Sequence, residues 1–470
     1  MNRYAIFRLL LALFMIWSAV PATAQAQTPA QVGQWSLGPF WDIAPINMLV
    51  LPSGKVMFYP GNTMSGDDAR VWDPDTNTTT SLAKAGYDIF CNGHSFMRDG
   101  TILMPGGNLQ TSFYGLPNAS TYNPFTNVWT RLPDMNDARW YPTTTTMGLG
   151  NVLVMTGSID PTQGENPLPQ VWEPSSGSWR DLTNAVLKIY NYSWVYTTPF
   201  RNAIVVGPRQ TTRYLDISGT GTWTNLTTFK FPNVRDYGSS VMYSPWTILI
   251  AGGGQPPTNT AEVINLAAAN PTWTYTNPMA FPRRHLNLTL LPDDKVLATG
   301  GTSADGFNNK TQPVYAAEMW NINTKTWTTM ASQTVGRFYH SNALLLPDGR
   351  ILSAGGDFAY QSEIYSPPYL FKGPRPTITS APSSVPYIQS FFVETPDVNS
   401  ITNVRIIRLP AVTHAFDQNQ RILKMSFTKT TGGLNVTSCG DRHRCPPGHY
   451  MLFILNANDI PSVAKIIQIG

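Results

Sequence analysis

Six residues that can bind a transition metal recur at nearly the same distance before a glycine. Cys91 lies fifteen residues before Gly106, and Tyr141 lies sixteen residues before Gly157. The same spacing holds for Tyr237 before Gly252, for His285 before Gly300, and for His340, preceded by Tyr339, before Gly355. Tyrosine oxygens and imidazole nitrogens together suit Cu(II), whereas zinc more often takes cysteine and histidine. The spacing leaves the choice between these metals open.

The glycines belong to a repeated pattern in the sequence. An apolar strand, a turn of Pro, Asp or Gly, a second apolar strand and one or more glycines follow each other seven times, with closing glycines at Gly61, Gly107, Gly157, Gly207, Gly253, Gly301 and Gly356. A period of roughly 50 residues is typical of kelch repeats. Further strand signals such as "ARVWDPDTN" bring each repeat to four strands, which is one propeller blade. We predict a seven-bladed kelch-type β-propeller over residues 31–370.

The propeller would bring the six residues together. All of them lie at the start of the first strand of a blade, and in a propeller that strand lines the central axis. We therefore expect them at one mouth of the central channel, together with the nearby Arg139, Arg235, Arg284 and Arg337.

Two segments outside the seven repeats complete the predicted all-β fold. "VGQWSLGPF" precedes the first repeat, and we expect it to supply the fourth strand of the last blade, because that repeat shows only three strands. From Pro374 the pattern changes to short alternating strands with turns. We predict a C-terminal immunoglobulin-like β-sandwich over residues 374–470.

The N-terminus and the composition indicate a secreted protein. Arg3 and Arg8 precede a short apolar run and small residues typical of a cleavage site, which predicts a signal peptide over residues 1–26. An uncleaved N-terminal anchor is the alternative. We expect a secreted or periplasmic, extracellular protein with no membrane span in the mature chain. Charged residues make up only 13%, and Lys and Arg form no run, which argues against nucleic acid as a partner.

The three cysteines divide into a pair and a single residue. Cys439 and Cys445 lie six positions apart in "SCGDRHRC", and in an oxidising compartment they are predicted to form a local disulfide. Cys91 is then left without a cysteine partner, and an odd cysteine in a secreted protein raises the question of its role.

Four segments resemble the copper radical oxidases, the family of galactose oxidase and glyoxal oxidase. They are "DIFCNGHSF", "ARWYPTTTT", "GRFYHSNALLLPDGRILSAGG" and "VTHAFDQNQRIL", in this order along the chain. The resemblance implies a thioether between Cys91 and Tyr141, with Tyr141 holding a protein radical and binding one Cu(II). It further implies Tyr339 as the axial ligand and His340 and His414 as imidazole ligands, with His414 supplied by the sandwich.

The activity implied by this resemblance is a two-electron oxidation. A primary alcohol or an aldehyde, glyoxal-type or carbohydrate-related, would be oxidised while O2 is reduced to H2O2. Copper and the cross-linked tyrosyl radical would each accept one electron, so that no organic cofactor is added. Tyr339 would accept the substrate proton.

The sequence also departs from galactose oxidase. Ile159 stands at about the place of the tryptophan that stacks on the thioether in that enzyme, and Trp140 is another candidate for this role. The predicted propeller begins soon after the signal, without a preceding sugar-binding domain, and "ARWYPT" leans toward the glyoxal oxidase branch. Arg235 and His285 are candidate substrate contacts, with a purely structural role as the alternative for each.

The expected partners follow from the predicted activity. They are a small alcohol or aldehyde and O2, with extracellular or cell-surface carbohydrate as a further candidate, and we expect a monomer. Two other functions remain open. One is a non-catalytic kelch propeller that binds glycan or protein, because propellers host many functions. The other is a mononuclear copper or zinc protein without a radical, which would not need Cys91.

Overall fold

The computed structural model describes residues 27–60, 66–109, 113–199, 202–357 and 359–470. The predicted signal peptide, residues 1–26, lies outside this part of the chain. The described residues contain one short α-helix, Pro29–Val32, and two 3₁₀ helices, Pro368–Phe371 and Val398–Ser400. None of these described helices has the length and apolar character needed to span a bilayer. Almost all remaining regular structure is β, which confirms the predicted all-β class.

Strands of the first half of the chain form four sheets, after an initial strand β1 (Gln34–Phe40). The first sheet includes β2 (Asn47–Val50), β3 (Val56–Tyr59), β4 (Arg70–Asp73) and β5 (Thr78–Ser81). The second contains β6 (Ser95–Phe96), β7 (Ile102–Pro105), β8 (Ala119–Asn123) and β9 (Val128–Arg131). The third contains β10 (Thr143–Thr146), β11 (Val152–Met155), β14 (Gln170–Glu173) and β15 (Ser178–Asp181), with a separate hairpin of β12 (Ser158–Asp160) and β13 (Gly164–Glu165) between them. The fourth contains β16 (Trp194–Thr197), β17 (Asn202–Gly207), β18 (Thr211–Asp216) and β19 (Thr222–Thr228).

Three further sheets follow along the chain. The fifth contains β20 (Ser239–Ser244), β21 (Thr247–Ala251), β22 (Ala261–Asn265) and β23 (Thr274–Thr276). The sixth contains β24 (Asn287–Leu291), β25 (Lys295–Thr299), β26 (Ala316–Asn321) and β27 (Trp327–Ser332). The seventh contains β28 (Ser341–Leu345), β29 (Ile351–Gly355) and β30 (Gln361–Ser366), and its fourth strand is β1. Trp35 of β1 lies opposite Tyr365 of β30, so the prediction for "VGQWSLGPF" is confirmed.

The first strands of the seven sheets contact one another in a closed ring within the described residues. Five of the contacts carry hydrogen bonds from or beside these strands: Asn47 to His94, Ser95 to Thr146, Tyr196 to Ser240, Asn287 to Ser341 and Asn342 to Ile46. β10 contacts β16 and β20 contacts β24, which completes the ring. The first strand of a sheet is buried throughout, as in β2, whereas the fourth is exposed, as in β5. The sheets thus radiate from a central axis.

Glycine and tryptophan set the packing between neighbouring sheets. Gly355 has φ of 71°, and a Cβ added there would lie 2.1 Å from the carbonyl oxygen of Pro45 in the next blade, so this close approach requires glycine. Fourth-strand tryptophans donate their indole N–H groups to main-chain oxygens of the preceding blade, as Trp129 does to Ala83, Trp179 to Pro133, Trp223 to Ala185 and Trp35 to Ala331. The recurrent tryptophans therefore pack between blades.

The C-terminal residues form a separate pair of sheets with its own apolar core. Their strands are β31 (Ser384–Val385), β32 (Ser390–Glu394), β33 (Ile401–Arg408), β36 (Ile422–Met425), β37 (Phe427–Thr430), β38 (Gly433–Thr437), β39 (Gly448–Asn456) and β40 (Lys465–Ile469). One sheet has the order β31-β40-β39-β33-β36 and the other β32-β38-β37.

One hairpin of this region leaves the two sheets and joins the propeller. β34 (Ala411–Thr413) pairs with β2, and β35 (Phe416–Asp417) pairs with β34, so the first propeller sheet has six strands. Beyond the hairpin, Gln418 accepts a hydrogen bond from the Thr144 amide and Gln420 accepts one from the Leu290 amide. The hairpin is therefore anchored to the first, third and sixth blades, and its turn is at His414.

Candidate metal centre

The predicted site residues share an unusual backbone conformation. Cys91, Tyr141 and His340 have φ of 59°, 68° and 68°. Each lies one to four residues before the first strand of its blade. Tyr192, Tyr237 and His285 have φ of 46°, 52° and 62° at the equivalent positions. A positive φ is uncommon for residues other than glycine, and is most common in Asn, Asp and His. Main-chain hydrogen bonds link neighbouring positions, for example from the Tyr141 amide to the Cys91 carbonyl at 2.9 Å.

Five predicted residues from distant parts of the chain meet in one cluster. The Tyr141 hydroxyl is in hydrogen-bonding contact with the Tyr339 hydroxyl and lies 3.4 Å from His340 Nε2. Cys91 Sγ lies 3.9 Å from His414 Nε2. The donor atoms of Cys91, His340 and His414 all lie within 4.8 Å of one another, and the Cys91 thiol also contacts Tyr141. The hairpin of the C-terminal region therefore brings His414 to the site, as the sequence predicted.

Hydrogen bonds orient both imidazoles in the same way. His340 Nδ1 lies 3.1 Å from Asp357 Oδ1, so its N–H donates to the carboxylate. His414 Nδ1 lies 2.6 Å from Thr413 Oγ1, and that hydroxyl donates to the Ile46 carbonyl. The hydroxyl must then accept from His414 Nδ1–H. In both residues the Nε2 lone pair faces the cluster, which is how metal-binding histidines are commonly held.

Burial keeps the cluster in its uncharged forms. It raises the pKa values of the Tyr141 and Tyr339 phenols and of the Cys91 thiol well above their usual ranges. It lowers the pKa of His340, and it lowers that of His414 well below its usual value, with a further effect of the neighbouring His340. Loss of solvent disfavours the charged form in each case. The two imidazoles are therefore neutral and able to donate lone pairs.

The donor set fits a first-row transition metal. Bonds of about 2.0 to 2.1 Å to nitrogen or oxygen place the donors of one ion roughly 3 to 4 Å apart, and the Tyr141 hydroxyl lies 3.4 Å from His340 Nε2. Both imidazoles already present Nε2. Two phenol oxygens with two imidazole nitrogens form the N,O set that suits Cu(II).

Aromatic rings enclose the Tyr141 ring on both faces. Trp140 stacks on it with ring centroids 3.5 Å apart and an interplanar angle of 15°. Tyr192 stacks on it at 4.6 Å and 25°. At these distances the two rings would overlap if they lay on the same face, so they lie on opposite faces. Trp140, and not a residue at the position of Ile159, is therefore the tryptophan that stacks on Tyr141.

Tyr192 is a site residue that the sequence analysis did not identify. It is buried, and its ring lies 4.6 Å from the ring of His414. The signal was present in the sequence, because Tyr192 lies fifteen residues before Gly207, in the same register as Cys91 and His340. The fourth repeat thus supplies a site residue as the second, third and seventh do.

An open cavity of about 490 Å³ leads to the cluster. Tyr141, Tyr192, Tyr339 and His414 line its inner end. Its remaining wall is largely aromatic, with Phe113, Trp140, Tyr190, Trp194, Tyr237 and Phe307, and it includes the carboxylates of Asp160, Glu165 and Asp236. No Lys or Arg is among the described residues that line it.

Arg235 does not reach this cavity. Its guanidinium is fully buried and forms an ion pair with Glu262, with Nη2 and Oε1 2.8 Å apart. It also donates to the main-chain oxygens of Gly252 and Thr260. The predicted substrate contact is therefore not supported by the structure, and the geometry favours the structural alternative.

The other arginines of the predicted ring are also held within the protein. Arg139 and Arg337 donate to main-chain oxygens of their own blades, including those of Thr156 and Gly355. Arg284 bridges Asp236 and Gln255. None of the three lines the cavity among the described residues, although the Arg284 guanidinium lies 5.4 Å from the ring of Tyr237, which does line it.

His285 supports the cavity wall from behind. Its Nε2–H donates to the Phe307 carbonyl oxygen at 2.6 Å, so Nε2 carries the ring proton. Burial lowers the pKa of His285 to about 3, so the ring is neutral. Its ring also lies 5.6 Å from that of Tyr339. His285 thereby holds Phe307, which lines the cavity, but it does not itself line it.

Cys439 and Cys445 lie beside each other in the core of the C-terminal region. Both are buried, and their thiols are in hydrogen-bonding contact without an S–S bond between them. The structure thus brings the predicted partners together as thiols, and the disulfide stays a prediction.

The fold and the cluster define a β-propeller with a buried tyrosine, histidine and cysteine site that is completed by a C-terminal β-domain. Two family models match this division. "Glyoxal oxidase N-terminus" matches residues 251–369, and "Galactose oxidase-like, Early set domain" matches residues 375–469.

Comparison with individual proteins extends this similarity over most of the chain. It is 27% identical to "Galactose oxidase" of Gibberella zeae, over 95% of this chain and 72% of that protein. It is 26% identical to "Aldehyde oxidase GLOX" of Vitis pseudoreticulata, over 89% and 90% of the two chains. A fungal alcohol oxidase solved in complex with copper has the same fold, with a TM-score of 0.85 at 23% identity over 94% of this chain and all of that one. The resemblance of this chain to galactose oxidase and glyoxal oxidase is confirmed.

Proposed function

We propose that this protein is a copper radical oxidase that oxidises a primary alcohol or an aldehyde and reduces O2 to H2O2. The observation that carries the proposal is the convergence of Cys91, Tyr141, Tyr339, His340 and His414 in one cluster. These residues come from three blades and a C-terminal hairpin. A propeller that only binds glycan or protein has no physical need to bring all five together.

Each residue of the cluster has a role that follows from its place. His340, His414, Tyr141 and Tyr339 would hold the copper. Cys91 would be bonded through sulfur to the Tyr141 ring, and the electron-donating sulfur would make the phenoxyl radical easier to form. Bound copper would supply a one-electron acceptor and a Lewis acid. Because an alcohol loses two electrons on oxidation, the Tyr141 radical would supply the second acceptor.

Two residues of this chain would take up the two hydrogens that the substrate loses. Tyr339 contacts Tyr141 and lines the cavity, and as a copper-bound phenolate it would accept the hydroxyl proton of a substrate beside it. The Tyr141 radical can then take a hydrogen atom from the adjacent carbon. O2 receives two electrons and two protons, so that RCH2OH and O2 give RCHO and H2O2. An aldehyde would react as its hydrate by the same balance.

The cavity favours uncharged substrates. Its aromatic wall can pack against a carbon skeleton, while Asp160, Glu165 and Asp236 place carboxylates along it. Asp236 is paired with the buried Arg284, but the described lining offers no cation to a substrate acid. A neutral alcohol or aldehyde, glyoxal-type or carbohydrate-related, therefore fits better than a carboxylate, because like charges repel in a partly desolvated cavity.

We also propose the compartment in which the enzyme acts and its oligomeric state. A cleaved signal peptide over residues 1–26 would place the enzyme outside the cytoplasm, as a monomer with two domains, 31–370 and 374–470. The dependence of the site on His414 means that neither domain alone would carry the activity.

The test combines mass spectrometry with a peroxide assay. The protein is loaded with copper, exposed to O2 and digested, and a linked peptide containing Cys91 and Tyr141 is sought at two hydrogens below the sum of its parts. Peroxide is then measured with a panel of alcohols and aldehydes. We expect the linked peptide and peroxide formation with at least one neutral substrate. Unlinked peptides without peroxide would reject the radical oxidase and favour a binding propeller, and unlinked peptides with bound copper would favour a mononuclear copper protein.

A further inference from the structure

Tyr192 stands in the fourth blade where Cys91 and Tyr141 stand in the second and third. Its φ is 46°, and its amide donates to the Tyr141 carbonyl at 3.1 Å, just as the Tyr141 amide donates to the Cys91 carbonyl. Cys91, Tyr141 and Tyr192 thus come from three adjacent blades, and main-chain hydrogen bonds link each of them to the next. These main-chain hydrogen bonds fix the backbone of Tyr192 relative to that of Tyr141.

The Tyr192 ring contacts two groups of the proposed centre at once. It covers the face of the Tyr141 ring opposite Trp140, at 4.6 Å and 25°, and it lies 4.6 Å from the ring of His414. Aromatic pairs at such distances attract each other beyond the effect of the area that they bury. Tyr141 is therefore held between two rings and has little freedom to tilt.

The Tyr192 hydroxyl ties this stack to the cysteine. It donates to the main-chain oxygen of Asn92 at 2.9 Å, and Asn92 directly follows Cys91. One side chain thus joins the turn that carries Cys91 to the ring that Cys91 is expected to attack.

We propose that Tyr192 is a positioning residue for the thioether between Cys91 and Tyr141 and for the radical on Tyr141, an inference that rests on the function proposed above. In the cross-linking step the S–H bond of Cys91 and one ring C–H bond of Tyr141 break and an S–C bond forms. The two electrons and two protons pass to O2, which becomes H2O2. Tyr192 takes no part in this balance. It holds the sulfur and the ring in place, and its stacked ring then keeps water from the radical.

Two substitutions separate the two contacts of Tyr192. Tyr192→Phe keeps the ring and removes the hydrogen bond to Asn92, whereas Tyr192→Leu removes both. Tyr196→Leu is the matched control, because Tyr196 lies in β16 four residues further on, is buried, and donates to Ser240 instead of to the site. Cross-linking is followed by intact mass after addition of copper to protein prepared without it, in the presence of O2, and the potential of the radical is measured in the cross-linked product.

We expect Tyr192→Phe to slow cross-linking by about twofold to tenfold, the range that one buried neutral hydrogen bond corresponds to. Tyr192→Leu should slow it further and shift the radical potential, and Tyr192→Phe should retain most of the wild-type potential because it retains the ring. Copper affinity should remain within about threefold in Tyr192→Phe, since both imidazoles keep their partners. Tyr196→Leu should cross-link at the wild-type rate.

The outcomes distinguish this inference from the proposed function. If the wild-type protein does not cross-link, the proposed function fails. If it does, and Tyr192→Phe and Tyr192→Leu cross-link at its rate with an unchanged potential, the positioning role of Tyr192 is refuted. Equal slowing in Tyr196→Leu would also refute it, because the effect would then follow from loosening of the blade. If Tyr192→Leu does not fold, Tyr192→Phe decides the matter alone.

Discussion

The ion pair of Arg235 with Glu262 offers a direct test of whether this arginine stabilises the fold or binds substrate. Both side chains are fully buried. The Glu262 carboxylate also accepts hydrogen bonds from the amides of Lys230 and Phe231. The same arrangement recurs in the next two blades, with Arg283 beside Glu318 and Arg337 beside Glu363. The pair thus joins the third strand of a blade to the segment that leads into its first strand.

Glu262→Gln keeps the size of the side chain and removes its charge. It leaves the Arg235 guanidinium buried with only neutral acceptors, and removing one partner of a buried ion pair costs about 3 to 5 kcal/mol. Since an amide offers a single acceptor oxygen, one of the two backbone amides also loses its partner, which adds about 1 to 3 kcal/mol. The expected loss is a large part of the roughly 5 to 15 kcal/mol that keeps a domain folded.

The assay is urea unfolding of the wild-type protein and of three variants, with substrate kinetics on those that fold. Glu262→Gln should unfold at much lower urea while its KM stays unchanged. Arg235→Met with Glu262→Gln should recover part of the loss, because no unpaired charge then remains buried. Glu394→Gln is the control, since Glu394 is exposed in β32, and should stay within about 0.5 kcal/mol of the wild type. An unchanged stability in Glu262→Gln combined with an altered KM would refute the structural role and restore Arg235 as a substrate contact.

Three predictions concern the centre itself. Cys91→Ser should bind copper with nearly wild-type affinity yet lose turnover by about 100-fold or more, because the electron-donating sulfur is lost; unchanged turnover would reject the cross-link. His414→Ala should weaken copper binding, measured by competition with a chelator, although the residue lies outside the propeller repeats; an unchanged affinity would show that the hairpin supplies no ligand. Asp357→Asn should lower copper affinity by about 10- to 100-fold because the partner of His340 Nδ1 becomes neutral, and equal affinity would contradict this orienting role.

Much of the site was predictable because each repeat places its site residue at a nearly constant distance before a glycine. Cys91, Tyr141 and His340 stand at the same distance before a closing glycine, and the fold places equal positions of successive blades next to one another. Tyr192, fifteen residues before Gly207, obeys the same rule, so its place also follows from the spacing of the fourth repeat. His414 lies outside the repeats, so its place could be predicted only through the resemblance of "VTHAFDQNQRIL" to a known segment.

Other features depend on contacts that no spacing reveals. Arg235 contacts Glu262 only when the third strand of its blade has paired with the second. The number of residues between the partners varies with loop length: it is 27 for Arg235 and Glu262 and 35 for Arg283 and Glu318. Trp140 is adjacent to Tyr141 in sequence, and neighbouring side chains normally diverge. The left-handed backbone at Tyr141, with φ of 68°, accompanies the stacking of the two rings, and this conformation is not encoded in a recognisable residue type.

The same left-handed conformation gives an independent reason to regard this mouth of the channel as functional. Elsewhere in the described residues, positive φ falls on Asn and Asp, which tolerate it in tight turns, as at Asn77 and Asp294, and also on scattered residues such as Trp246 and Lys325. At the channel mouth it recurs at six equivalent positions of successive blades, all of them cysteine, tyrosine or histidine, at a cost of order 1 to 3 kcal/mol per residue. Glycine or asparagine would close the same turns with less strain. The larger side chains are therefore kept for what they do at the centre, and the rigid ring of packed blades is what can sustain their strain.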